Sequence, residues 1–290
     1  MQTSADDDGD SATLIKASLI LLSFTLFAHK KPYREFLSAP PPAAQGHQLA
    51  VKRVAHKAPA SKKKRLYITF DDGPNRGTKN VFTIVKDNSA TVTFFIVGEH
   101  VFASLAQARM WDSLKSAQHI ELCNHSYCHA NSKYAKYYQS PDSVVADFHR
   151  TQDSLQFDNP VARAPGRNIW RIDSLRFTDL KKSAAAADSL QKAGFVLMGW
   201  DLEWEFDHKT MSVITTAEKM VVAIDSVFSH HRTRSLNNLV LLAHDQAFVK
   251  GDDSLQLCEF FRLLKERDEY ELSLASEYPG VQKDTLVASR

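Results

Sequence analysis

LYITF (66–70) runs directly into Asp71-Asp72-Gly73-Pro74. A short, mostly apolar and β-branched or aromatic run bounded by turn residues reads as a strand. The Asp-Asp-Gly-Pro tetrapeptide ends it in a tight turn. Working outward, TVTFFIV (91–97) is a second strand of the same kind, and HIEL (119–122) a third, after a helix over about 104–117. Ser140-Pro141 opens a helix to about 155, with Ser at the N-cap and Pro in the first turn. A helix over 180–194 is stopped by Gly194 and followed by the strand FVLMGW (195–200). A helix over about 215–230, the strand NLVLLAH (238–244) and a helix over 254–267 complete the pattern. Strands alternating with helices imply a parallel sheet with helices outside. The roughly 215 residues available fit a distorted or incomplete α/β barrel better than a full one, which takes about 250.

Upstream the texture differs. Residues 17–28 (ASLILLSFTLFA) are uncharged and mostly apolar, with Lys16 before them and Lys30-Lys31 after. At 1.5 Å per residue this run covers about 18 Å, short of a ~30 Å hydrocarbon core. Residues 1–31 are therefore expected to be an export signal or a retained membrane anchor, a buried core helix being the third option. Residues 32–64, with Pro40-Pro41-Pro42, read as a linker, and 65–280 as the folded domain of alternating strands and helices. The protein is expected outside the cytoplasmic membrane, in the periplasm or cell envelope, touching membrane only through its N-terminal segment.

The chain has 290 residues, 43% hydrophobic and 24% charged, with a net charge of +2. Nothing in this balance calls for a nucleic-acid partner, and no nucleic-acid-binding motif is present. The basic run Lys62-Lys63-Lys64-Arg65 reads as a solvated strand flank. Cys123, Cys128 and Cys258 are an odd number and do not suggest a disulfide framework.

Four polar clusters follow expected strands: TFDDGP (69–74), NHSYCH (124–129), GWDLEW (199–204) and LLAHD (241–245). A fifth, ARAPGR (162–167), is expected in a loop between two helical stretches. Strand C-termini converge on one face in such folds, so these clusters can meet. His125 and His129, four apart on an expected helical turn, can share one ion, and Asp72 would supply a third ligand. Three protein ligands with an open position suit a catalytic zinc; Cys128 offers a rival, closed four-ligand site. Adjacent residues at a strand end face opposite ways, so Asp71 is expected to do something other than bind the ion as Asp72 does. Accepting a proton is the natural role. His244, at a strand mouth, suits a general acid with its ordinary pKa of ~6.5.

In this order the motifs resemble those of the polysaccharide deacetylases with a NodB homology domain, the fourth carbohydrate esterase family. TFDDGP matches the first motif, HSYCH the second, ARAPG the third and LLAHD the fifth, and the resemblance extends over about 65–275. It implies Asp71 as base, oriented by Arg163; Asp72, His125 and His129 as ligands of one divalent ion, Zn²⁺ or else Co²⁺ or Ni²⁺; and His244 as acid. Gly166 would offer its N–H to the oxyanion beside Pro165, and Leu242 would line the acetyl pocket. Two departures stand out: Arg167 replaces the Gly or Ser that usually follows the third motif, and the fourth motif, Asp-x-x-Asp-Trp, is missing. GWDLEWEFD (199–207) offers Asp201, Glu203 or Asp207 as partner for His244, with Asp201 preferred, and Trp200 or Trp204 as groove wall. The implied activity is hydrolysis of N-acetyl groups on amino sugars of a glycan such as peptidoglycan or chitin. An O-acetyl-glycan esterase using the same site, or a glycan-binding module without turnover, are the alternatives.

Overall fold

The computed structural model describes residues 63–281, so the expected signal or anchor and nearly all of the expected linker lie outside the described residues. The order is β1 (Lys64–Gly73), α1 (Thr78–Asp87), β2 (Val92–Ile96), α2 (Gly98–Phe102), α3 (Leu105–Ser116) and β3 (Ile120–Asn124). Then come α4 (Tyr134–Tyr137), α5 (Pro141–Leu155), β4 (Val161–Ala162), β5 (Ile169–Ile172), β6 (Leu175–Thr178) and α6 (Ala184–Lys192). The chain continues with β7 (Val196–Leu197), β8 (Leu202–Glu203), β9 (Phe206–Asp207), β10 (Ser212–Val213), α7 (Ala217–Ser229), β11 (Asn238–His244), α8 (Gly251–Arg267) and β12 (Tyr270–Leu272).

The main sheet has the order β6-β5-β7-β4-β3-β2-β1-β11-β8, with β12 pairing the start of β1. Pairs from β7 through β8 are parallel, and only β5 runs antiparallel to its neighbours β6 and β7. The two ends of the parallel part of the sheet are tied by the chain itself, because β7 leads to β8 through residues 198–201 alone. Five Cα steps reach at most about 18 Å, so the sheet must curl. This is the distorted, incomplete barrel expected.

Alternation along the strands sorts the core. Leu66, Ile68 and Phe70 of β1, Val92, Phe94 and Ile96 of β2, and Leu239, Leu241 and Ala243 of β11 pack outward against α1, α3, α7 and α8. The intervening Tyr67, Phe95, Cys123, Val161 and Val240 form a separate cluster that fills the barrel with Trp170, Met198 and Tyr278. Each fully buried aliphatic or aromatic side chain contributes roughly 1.5–3 kcal/mol, so both faces of β1 are held strongly. Helix ends follow local rules: Ser104 caps α3 by accepting from Gln107 N, and Pro141 sits in the first turn of α5. Among the described residues, no helix is long and apolar enough to cross a membrane.

Several readings change. The FVLMGW stretch pairs as a strand only over Val196–Leu197, and the β5–β6 hairpin was not foreseen. ARAPGR follows a strand, β4, rather than joining two helices. All five polar clusters therefore follow strands.

Candidate active site

Asp71 and Asp72 stand at the end of β1, where the ladder to β2 slips. Asp71 pairs with Phe95 but Gly73 pairs with Ile96, so Asp72 is an extra residue, with φ of 75°. Such a β-bulge re-aims a side chain. It overturns the expectation that the two carboxylates face opposite ways. Asp71 Oδ2 lies 3.6 Å and Asp72 Oδ1 3.5 Å from the same His125 Nε2. His100 Nδ1 binds the Asp72 carbonyl at 2.8 Å, and Gln246 Nε2 reaches Asp72 Oδ2 at 3.3 Å.

The histidine pair is built from a loop rather than a helical turn. Ser126 has φ of 65° and His129 of 45°, both left-handed, and residues 129–132 form only a short 3₁₀ segment. Asn124 Oδ1 accepts from Ser126 N at 2.9 Å, and Ser126 Oγ accepts from His129 N at 3.1 Å. From α5, Asp147 accepts from Tyr127 N, Cys128 N and the Tyr137 hydroxyl. The result places the two imidazole centroids 5.0 Å apart.

One nitrogen, one nitrogen and one carboxylate oxygen from His125, His129 and Asp72 lie within 4.8 Å of one another. Whether these residues fit a metal ion is tested by their hydrogen bonding. His125 Nδ1 lies 2.9 Å from the Arg163 carbonyl, which can only accept, so Nδ1 carries a proton. In the neutral ring Nε2 then presents a lone pair toward two carboxylates. A metal-binding histidine is commonly oriented in this way. Asp72 Oδ1 is buried yet takes no hydrogen bond among the described residues, with His129 Nε2 at 3.1 Å. An oxygen left unpaired among aligned nitrogens fits a cation. Burial acts to raise the Asp72 carboxyl pKa, but the His125 and His129 imidazoles outweigh it and hold it well below the usual range. Burial opposes protonation of His125, and the Asp71 and Asp72 carboxylates reverse that to raise its pKa. Cys128 is not part of the cluster, and burial together with Asp147 pushes its thiol up to about 11. All three cysteines are free.

Arg163 fixes Asp71. Its Nη1 donates to Asp71 Oδ1 and to Thr69 Oγ1, both at 2.7 Å, Nη2 to Gly199 O at 3.0 Å and Nε to Met198 O at 3.1 Å. The side chain is wholly buried, lying over the Phe95 ring at 4.0 Å. Gly166, at φ of 60°, sits against Tyr134, whose ring a β-carbon there would meet at 3.0 Å. The Tyr134 hydroxyl lies 3.4 Å from His129 Nδ1. The Pro165 carbonyl accepts from the Tyr138 hydroxyl at 2.7 Å.

His244 is the register partner of Asp71 on the adjacent parallel strand, so both side chains face the barrel mouth. Leu242, two residues earlier on the same face, is buried. Asp201 is not its partner. The Asp201 oxygens accept from Arg234 N at 2.8 Å and Val240 N at 2.9 Å. Val240 is four residues, about 13 Å, back along the strand. Burial pushes the Asp201 carboxyl up to about 6. Glu203 is the acid that approaches His244 Nδ1, at 4.0 Å, and burial lifts its carboxyl above the ordinary value. Asp207 is exposed and accepts from the Lys209 and Thr210 amides. Trp204 is not a groove wall either. It is 1% exposed, packs against Phe248 and Phe260, and donates to Thr215 O at 2.8 Å. Trp200 keeps a partly exposed face.

Asp245 does not point into the site. It is fully buried beneath the β1 turn, taking hydrogen bonds from the Asn75 amide and Thr78 hydroxyl, and burial pushes it up to about 8. A β-carbon at Gly77 would lie 1.8 Å from its carbonyl oxygen, which explains the glycine there.

The sequence model described as polysaccharide deacetylase matches residues 58–165. A peptidoglycan-N-acetylglucosamine deacetylase of Bacillus cereus is 26% identical over 148 residues, 44% of this chain and 54% of that protein. The match thus spans about half of that relative's length. The structure of a carbohydrate esterase of family 4 from Streptococcus mutans aligns with a TM-score of 0.55 at 23% identity, over 73% of this chain and 86% of that one. A family 4 carbohydrate esterase from Streptomyces lividans, determined with acetate, aligns with a TM-score of 0.53 at 18% identity, over 75% and 95%. From the first motif to the third the chain is similar to the polysaccharide deacetylases, and over about three quarters of its length its fold is similar to that of the family 4 carbohydrate esterases.

Proposed function

We propose that the protein hydrolyses N-acetyl groups on amino sugars of a cell-wall glycan, releasing acetate, with one divalent ion held by Asp72, His125 and His129. The observation that carries this reading is the unpaired, buried Asp72 Oδ1 beside an Asp71 locked by Arg163. A divalent ion at such a site polarises a carbonyl and acidifies an attacking water, and Zn²⁺ suits the two-nitrogen, one-oxygen donor set.

The residues divide the remaining work. Arg163 occupies Asp71 Oδ1, leaving Oδ2 to accept the proton as water attacks. The Gly166 N–H, held at its left-handed turn against Tyr134, would face the developing oxyanion. His244 would protonate the departing amine, with the Glu203 carboxylate 4.0 Å from its Nδ1. Leu242 would close the acetyl pocket, and Pro165 and Trp200 the sugar side.

The name of the Bacillus cereus relative supports peptidoglycan as substrate. Residues 1–31 would direct the enzyme across the cytoplasmic membrane or hold it there. The test is acetate release from peptidoglycan, chitin oligomers and acetylxylan, with and without a chelator. Chelator-sensitive release from the N-acetylated glycans is expected. Release from acetylxylan alone would select an O-acetyl esterase, and bound metal with no release from any substrate would select a binding module.

A further inference from the structure

Outside the site, a groove of about 730 Å³ runs between α1 and α3. Asn75 and Arg76 form its upper end, directly beyond the β1 bulge. Two hydrogen bonds tie it to that bulge: Asn75 Nδ2 to the Asp72 carbonyl at 3.3 Å and Gln107 Nε2 to the Pro74 carbonyl at 2.9 Å. Phe82 and Met110, both half-buried, give it an apolar floor, and exposed Arg76, Lys79 and Arg109 stand on its rim. No carboxylate lines it, and none of these three cations has an ion-pair partner among the described residues.

Three uncompensated cations around a partly apolar floor are matched by a ligand with carboxylates and short alkyl side chains. A neutral glycan offers neither, and a phosphate polymer leaves the floor unused. From Ser104 to Ser113 the α3 wall is about 14 Å long, the reach of roughly four extended residues. The groove begins at Asn75, three residues past Asp72 in the chain. We infer that the groove binds an acidic peptide branch of the glycan substrate, making the enzyme selective for peptide-substituted over bare strands. This rests on the deacetylase reading.

The test compares the full chain with the combined Arg76→Glu, Lys79→Glu, Arg109→Glu variant, whose exposed positions leave the fold intact by circular dichroism. Two readouts are used. One is the ratio of kcat/KM for an N-acetylated oligosaccharide carrying an acidic tetrapeptide to that for the same oligosaccharide without it. The other is fluorescence anisotropy of the labelled acidic tetrapeptide alone, at low and high salt. The ratio should fall about tenfold in the variant, and peptide binding should be lost both there and in high salt. Peptide binding that is absent in the wild type, or equal in the two proteins, would overturn the inference, as would an unchanged ratio. Charge-dependent peptide binding without acetate release from either oligosaccharide would uphold the groove and reject the deacetylase reading.

Discussion

The two walls of the site are built to different standards. On the β1–β3–β4 wall, Arg163 holds Asp71, the Arg163 carbonyl orients His125, Gln246 reaches Asp72 and Tyr134 reaches His129, and the four N–H contacts of Arg163 are made in full burial. On the β11–β8 wall, His244 Nδ1 has no hydrogen-bond partner among the described residues, and Glu203 comes no nearer than 4.0 Å to it. The first wall is over-determined, as a metal and base must be to keep their geometry. In the proposed mechanism, the second leaves its proton donor free to adjust to substrate. Groups that hold an ion need fixed positions, whereas a group that meets a departing amine needs reach.

Removing a ligand tests the first wall most harshly. Asp72→Ala, His125→Ala and His129→Ala should each abolish metal binding and acetate release together, measured by metal content and turnover. A variant that loses only one of the two would separate ligand from catalyst and break the assignment.

Arg163→Met comes next. It leaves a buried carboxylate without its cation, at a cost of about 3–5 kcal/mol, and should lower Tm by roughly 10 °C besides ending activity. Retention of wild-type Tm would mean that the buried network is not stabilising.

The second wall should respond more gently. Glu203→Gln is expected to lower kcat about tenfold, while Asp201→Asn should leave kcat near normal and affect stability alone. The reverse order would restore Asp201 as the partner of His244.

The smallest effect concerns pH and stability beneath the site. Asp245 has a folded pKa of about 8, raised above the ordinary carboxylate value. Its contribution to stability is fully present below the unfolded pKa of ~3.9 and is lost as pH rises through the folded value. In chelator, the Tm of Asp245→Asn should therefore gain on that of the wild type between pH 4 and 8. A constant difference would show that Asp245 does not titrate there.

The legible part of the sequence was the part set locally. Apolar runs fixed β1, β2, β3 and β11, since each pattern needs no knowledge of the partner strand. The motifs brought Asp71, Asp72, His125, His129, Arg163 and His244 to one mouth because parallel strands end on the same side. The illegible part depends on partners. The bulge at Asp72 exists only in the register between β1 and β2, so the strand period alone put Asp71 and Asp72 on opposite faces. Two-residue strands such as β7 and β8 are defined by their neighbours, and that is why Asp201 was preferred to Glu203 and Trp204 placed in the groove. His100 and Gln246 carry no motif of their own, and their contacts with Asp72 cross 28 and 174 residues of chain.

The central claim is that adjacent carboxylates share a mouth but not a task. Metal content and acetate release measured side by side for Asp71→Asn and Asp72→Asn address it directly. Asp71→Asn should keep the ion and lose roughly 10²–10⁴-fold in turnover, and Asp72→Asn should lose the ion. An Asp71→Asn enzyme that turns over normally, or that loses its metal as Asp72→Asn does, would contradict the account.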